Sequence, residues 1–257
     1  MTVCKNRFIL IRGLLRESRH WGDFPTQLQR NFPSTEILTP DIPGNGRLYQ
    51  QPSPDHIGGM TSALRAQIRS GKPAHIIGLS MGGMIAVDWM IRFPEDIQSA
   101  VLINTSLRQF SPFYHRLRWQ IYPAIFKIML QSPASREQTI LAMTSNRHQR
   151  DQELLERWQK WQQQYPISSA NIINQLLAAT RFSAKIKPRQ PLLVAASKSD
   201  RLVHYECSNR LQQQWNTDYC CHETAGHDIP LDDPEWMLEP VQDLTLIVSF
   251  NKMKDER

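Results

Sequence analysis

Residues Ala74-His-Ile-Ile-Gly-Leu-Ser80-Met-Gly-Gly-Met-Ile-Ala-Val87 decide how the rest of this chain is read. The run 75–77 suits a buried strand, and a helical pattern follows at once, with Met84, Ile85, Ala86, Val87, Trp89 and Met90. Between them stands Gly78-Leu-Ser80-Met-Gly82, a G-x-S-x-G string at a strand-to-helix turn. Small residues at 78 and 82 permit a tight turn, hold Ser80 in a strained conformation and bring the helix close to the strand. A hydroxyl at that apex is exposed at the top of a sheet, beside the free N–H groups of a helix N-terminus. Such a string also occurs by chance in small-residue turns; the strand before it and the helix after it make Ser80 a candidate nucleophile.

Working outward, 257 residues suffice for a full core, as one domain or one domain with an insertion. No apolar run approaches the length of a membrane span, and Met1-Thr-Val-Cys-Lys-Asn-Arg7 lacks the apolar stretch of a secretory signal, so the expectation is a cytoplasmic protein. The four cysteines (4, 207, 220 and 221) show no metal-ligand spacing. Cys220 and Cys221 are neighbours on an expected strand, and buried free thiols are expected. Charge is uneven. Residues 107–190 hold 13 Lys/Arg against 4 Asp/Glu, and the remainder holds 17 against 20. The basic character therefore belongs to one segment, which marks it as a separate unit.

Short aliphatic runs alternate with helical patterns, the mark of a parallel sheet with crossover helices. Strands are expected at 8–11, 35–38, up to Ser80, 100–104, 192–196 and 219–223. Helices are expected at 24–32, 55–70, 81–93, 205–215 and 235–250. Residues 107–186 contain no convincing strand, only aromatic-rich helical stretches at 113–130, 136–144, 151–165 and 169–180. The reading is an α/β core of residues 1–106 and 187–257, interrupted by an all-helical insertion at 107–186.

A serine hydroxyl attacks only when a base takes its proton, and that base needs a carboxylate to fix its tautomer. On a strand–turn–helix scaffold the partners follow in the order Ser, Asp/Glu, His. Asp200 lies just past the strand 192–196, where an aspartate often serves only as a cap. His227, in Ala225-Gly-His-Asp-Ile-Pro230, lies in a loop after the last strand. His75 and His222 fall inside strands. Order and position select Ser80, Asp200 and His227.

With these residues the chain resembles the α/β-hydrolase superfamily, in its cap-bearing esterase, thioesterase and peptidase branch. The resemblance rests on 78–83 as nucleophile elbow, Asp41-Ile-Pro-Gly-Asn-Gly46 as a D-x-P-G-x-G loop, Ser199-Asp200 with Val203 as acid turn, and Gly226-His227 as histidine loop. It implies an α/β-hydrolase fold, a mostly parallel sheet flanked by helices, with residues 107–186 as a helical cap. The family's amino-terminal pair of strands is shortened or absent. The resemblance also implies an oxyanion hole from the amides of Met81 and Leu14, with no cofactor and no metal. At the preceding turn the chain departs from the family, since Arg12-Gly13 replaces the usual His-Gly; Arg12 either braces the loop differently or reaches an anionic group. Trp21 is expected to pack.

The activity implied is hydrolysis of a carboxylic ester or thioester through an acyl-enzyme. Arg12, Leu15, Trp119 and Tyr122 are substrate-binding candidates. Lid aromatics mostly mean helix packing, some lining an acyl pocket, and the stripe Leu154, Leu155, Trp158, Trp161 and Tyr165 is expected to face the lid's own core. The basic segment is either a solvated surface or a dock for an acidic partner such as an acyl carrier protein; in architecture and charge it is similar to the lid of pimeloyl-carrier-protein methyl ester esterases. No nucleic-acid module is recognisable. Two alternatives stay open: a lyase of the 2-succinyl-6-hydroxy-cyclohexadiene-carboxylate synthase type, and a ligand-binding relative without catalysis.

Overall fold

The computed structural model describes residues 6–68 and 71–255. In chain order the elements are β1 (Asn6–Ile11), α1 (Phe24–Asn31), β2 (Thr35–Leu38), α2 (Ile57–Gln67), β3 (Ala74–Leu79), α3 (Met81–Arg92) and β4 (Ile97–Ile103). Five helices follow: α4 (Phe113–Arg116), α5 (Tyr122–Leu130), α6 (Pro133–Thr144), α7 (Gln152–Gln164) and α8 (Ser169–Arg181). The chain then returns to β5 (Leu192–Ser197), α9 (Glu206–Trp215), β6 (Asp218–His222), α10 (Ile229–Asp232) and α11 (Pro234–Asp255).

The strands form one sheet in the order β2-β1-β3-β4-β5-β6, and every neighbouring pair is parallel. Central strands of such a sheet are covered on both faces, which is why β3 is buried from end to end and reads as a continuous apolar run. Successive side chains alternate between the faces. Ile9, Ile11, Ile76 and Leu102 pack with Met60, Leu64 and Trp89 of α2 and α3. Phe8, Leu10, Ile77 and Val101 pack with Phe24 and Leu28 of α1 and Met237 and Val241 of α11. Trp21 joins the second cluster and stacks on Phe24.

Parallel pairing places every strand's C-terminal end on one edge. The chain passes from β1 outward to β2 and returns to β3 on β1's other side. A crevice opens where the strand order reverses, between the ends of β1 and β3, and ligands bind at such switch points. The loops starting at Arg12 and Ser80 border it.

Several expectations shift. Residues 113–130 do not form one helix: Leu117 is extended, and a new helix starts at Tyr122 with Pro123 in its first turn, where a missing N–H costs nothing. Likewise Pro133 opens α6 three residues before the expected start, behind the Ser132 cap. The expected helix 55–70 is α2, and residues 69–70 lie outside the described ones. No antiparallel strand occurs among the described residues. Cys207 is buried but Cys220 and Cys221 are only half-buried; all three are free thiols, and Cys4 lies outside the described residues. No described helix is long and apolar enough to cross a membrane.

Candidate active site

The elbow is built as its glycines require. Ser80 sits at φ 57°, ψ −116°, a conformation that costs a non-glycine residue about 1–3 kcal/mol and persists only when its surroundings impose it. A Cβ added at Gly82 would lie 2.2 Å from the Ile11 carbonyl oxygen, and one at Gly78 2.5 Å from the Gly82 carbonyl oxygen. Only glycine lets α3 approach β1 and β3 so closely. Two hydrogen bonds lock the turn: the Ser80 amide donates to the Ile103 carbonyl at 2.7 Å, and Thr105 Oγ1 donates to the Ser80 carbonyl at 2.8 Å.

Behind Ser80 stand the other two candidates. His227 Nδ1 lies 2.7 Å from Asp200 Oδ2, with both side chains almost wholly buried. The second carboxylate oxygen of Asp200 accepts the amides of Leu202 (2.7 Å) and Val203 (3.0 Å), so the carboxylate holds one orientation. Asn104 steadies the histidine loop by donating to the His227 carbonyl at 2.8 Å. A carboxylate at Nδ1 puts the ring hydrogen there and leaves Nε2 as the free base. Ser80 and His227 both line one small cavity of about 50 Å³.

The loop after β1 forms the opposite wall. A Cβ at Gly13 would come 3.1 Å from Ser80 Cβ, so the Gly13-Leu14 backbone runs directly beside the candidate nucleophile. Met81 is the first residue of α3, where amides have no partner within the helix. Leu15, at φ 61°, donates its amide to Gln175 Oε1 at 3.1 Å. Gln175 in turn donates to Asn45 Oδ1 and Ser53 Oγ, which fixes this loop from α8. Asp41 ties the same loop to the next: its oxygens accept the Ser18 amide (2.8 Å) and the Arg47 amide (3.1 Å).

Arg12 faces inward. Its two terminal nitrogens meet the two carboxylate oxygens of Asp228, one at 3.1 Å, and its guanidinium lies 4.8 Å over the Trp21 ring. The pair is almost wholly buried and joins the turn before Leu14 to the residue after His227. Of the two roles expected for Arg12, this geometry is that of a brace.

Helices α5 and α6 supply Ile125, Ile128, Ile140 and Met143 to the cavity, beside Leu14 and Leu15. Polar ties hold them there. Arg16 Nη1 donates to Glu137 Oε2 at 2.6 Å, and Asp232 accepts the amides of Asn146 and Gly226. The stripe on α7 serves two sides: Leu154, Leu155 and Trp158 pack with Leu141, while Arg16 lies over Trp158 and Arg19 over Trp161 and Tyr165. It therefore faces the loop after β1 as well as its own helical partners.

The structure thus brings Ser80, His227, Leu14, Leu15 and Arg12 to one cavity with Asp200 behind, whereas Trp119 and Tyr122 stand exposed and are not among its lining residues. Sequence reasoning missed Gln175, Asp228 and the Arg16–Glu137 pair. Their partners lie 160, 216 and 121 residues away, and no local pattern marks such contacts.

A model of the alpha/beta hydrolase family matches residues 8–239, and the chain belongs to that family. Its sheet and flanking helices are the α/β-hydrolase fold, shared with solved esterases. The chain is similar to lip1 of Acinetobacter baumannii AYE (22% identity over 96% of this chain and 85% of that one, TM-score 0.78). It is similar also to an esterase from Exiguobacterium antarcticum (16%, 93% and 92%, TM-score 0.76) and to a thermophilic esterase from Thermogutta terrifontis (16%, 96% and 92%, TM-score 0.72). No curated protein matches the chain.

Proposed function

We propose that this hydrolase is a serine hydrolase that cleaves a carboxylic ester or thioester through an acyl-enzyme, with residues 107–186 as a cap over the site. The observation that carries the reading is the strained Ser80 facing the same cavity as a His227 whose Nδ1 is held by Asp200. In this reading His227 Nε2 takes the Ser80 proton as Oγ bonds to the acyl carbon. The carbonyl oxygen becomes negative, and the Met81 and Leu14 amides stabilise it, each by about 3 kcal/mol or more. Collapse breaks the bond to the leaving alcohol or thiol, which takes the proton from His227. Water, deprotonated by the same imidazole, then releases the acid and restores Ser80.

Ile125, Ile128, Ile140 and Met143 make the cavity wall apolar, which favours an acyl group over a charged one. The lyase reading needs a cation free for a polyanionic substrate, and the two arginines that line the cavity, Arg12 and Arg16, are engaged by Asp228 and Glu137, so the lining does not favour it. A cytoplasmic location remains part of the proposal. The test is hydrolysis of p-nitrophenyl esters of increasing chain length by native protein, Ser80→Ala and His227→Ala. Turnover lost by about 10³-fold or more in both variants supports the reading, and folded native protein without turnover on any ester overturns it.

A further inference from the structure

α5 is apolar but for Lys127, and it is covered on only one side. Ile125 and Ile128 face the candidate site, while Tyr122, Phe126 and Leu130, at four-residue spacing, point to solvent. Phe126 is 69% exposed and Leu130 74%, and the stripe continues backward through Trp119 (65%) and Phe113 (71%). A helix that is apolar all round is normally enclosed, and one half-enclosed lacks a partner.

Along the chain, the charge flanking this stripe is of one sign. Between Asp96 and Glu137 the chain carries no acidic residue, while Arg108, Arg116, Arg118 and Lys127 fall in that interval. Arg108 and Lys127 are exposed. Arg116 and Arg118 are half-buried, their guanidiniums bonded mainly to the backbone carbonyls of Ala179, Thr180 and Asp200. Exposed Trp, Tyr, Phe and Leu on a segment whose interspersed charges are all cations match a surface that is apolar beneath a negative layer.

We propose that the α4–α5 face docks on an anionic lipid surface. A purely acidic protein surface would satisfy the cations and leave the aromatic side chains in water; lipid satisfies both. Docking places the outer face of α5 in the headgroup layer while its inner face still lines the cavity at Ser80. If the proposed esterase activity holds, the substrate class is the ester of a lipid drawn from that layer. The docking itself does not depend on catalysis.

The test is co-sedimentation of the full chain with phosphatidylcholine vesicles, with and without phosphatidylglycerol, at low and high salt. The expected result is partition that needs phosphatidylglycerol and weakens with salt. Phe126→Ser/Leu130→Ser should lower it about tenfold or more, and Lys127→Glu should lower it on the anionic vesicles. Ser80→Ala should partition like native protein, which separates a failure of docking from a failure of the esterase reading. Both surface variants should keep native thermal melting and hydrolyse a soluble short-chain ester. Lys127→Glu keeps the test valid should the double variant fold poorly. The proposal is overturned if native protein does not sediment with anionic vesicles at low salt, or if the variants sediment equally. It is overturned too if the stripe instead closes a homodimer or binds acyl carrier protein without binding vesicles.

Discussion

Replacing Arg12 by methionine removes one half of a buried ion pair and leaves the other half in place. The Asp228 carboxylate, 1% exposed, is then left buried without the guanidinium that meets both its oxygens. Breaking a buried pair from one side costs about 3–5 kcal/mol, because an uncompensated charge remains where water cannot reach it. For a chain of this size each kcal/mol lowers the melting temperature by about 2–4 °C, so Arg12→Met should melt on the order of 10 °C below native protein. The Asp228 side chain does not cap α10, and removing it as well costs little in local structure. Arg12→Met/Asp228→Leu should therefore recover at least about 2 kcal/mol of what Arg12→Met loses. Urea unfolding of native protein, both single variants and the double variant measures this coupling. Turnover should behave differently. The brace holds the Leu14 turn against the His227 loop, so kcat for a soluble ester should stay about ten- to hundredfold down in the double variant despite its recovered stability. A loss below about 1 kcal/mol for Arg12→Met, or a double variant no more stable than the two singles combined, would refute the reasoning.

Other consequences are as specific. His20 is buried beside Arg16, and both burial and the nearby guanidiniums of Arg16 and Arg12 hold its pKa well below 6.5. Below about pH 6.5 the unfolded chain takes up a proton that the folded chain refuses, so the His20 contribution falls as pH drops, by about 1.4 kcal/mol per unit. Comparing urea midpoints of native protein and His20→Gln between pH 7 and 5.5 should show the shallower acid loss in the variant; parallel profiles would contradict it. Gln175→Leu leaves the Leu15 amide buried without its acceptor, costing about 1–3 kcal/mol and lowering kcat more than it raises KM. Equal kcat would show that α8 does not position the loop after β1 for the proposed reaction. Asp200→Asn should preserve the fold and lower kcat by about 10³–10⁴, read by steady-state kinetics with circular dichroism as control.

How far the sequence carries this picture depends on the distance over which each feature is encoded. Buried parallel strands write themselves as local apolar runs, so β1, β3, β4 and β5 were legible within a few residues. The elbow was legible because its steric demands fall on glycines within two residues of Ser80. Asp200 and His227 could be reached through chain order and their places after strands. The Arg12–Asp228 brace could not, since an arginine in a turn and an aspartate beside a histidine look like ordinary surface residues until the fold joins them. Gln175 has the same disguise: 0% exposed in the fold, in the sequence it resembles any polar residue on an amphipathic helix. The aromatics of 113–126 mislead in the opposite sense, since composition says packing and the fold leaves most of them in water.

The central claim is that Ser80 is activated by His227 at one site, and covalent capture tests it most directly. Native protein treated with a fluorophosphonate, digested and analysed by mass spectrometry should carry one adduct, on Ser80. The adduct should vanish in Ser80→Ala and form far more slowly in His227→Ala. Folded native protein that stays unmodified, or that is modified at a residue other than Ser80, would contradict the account.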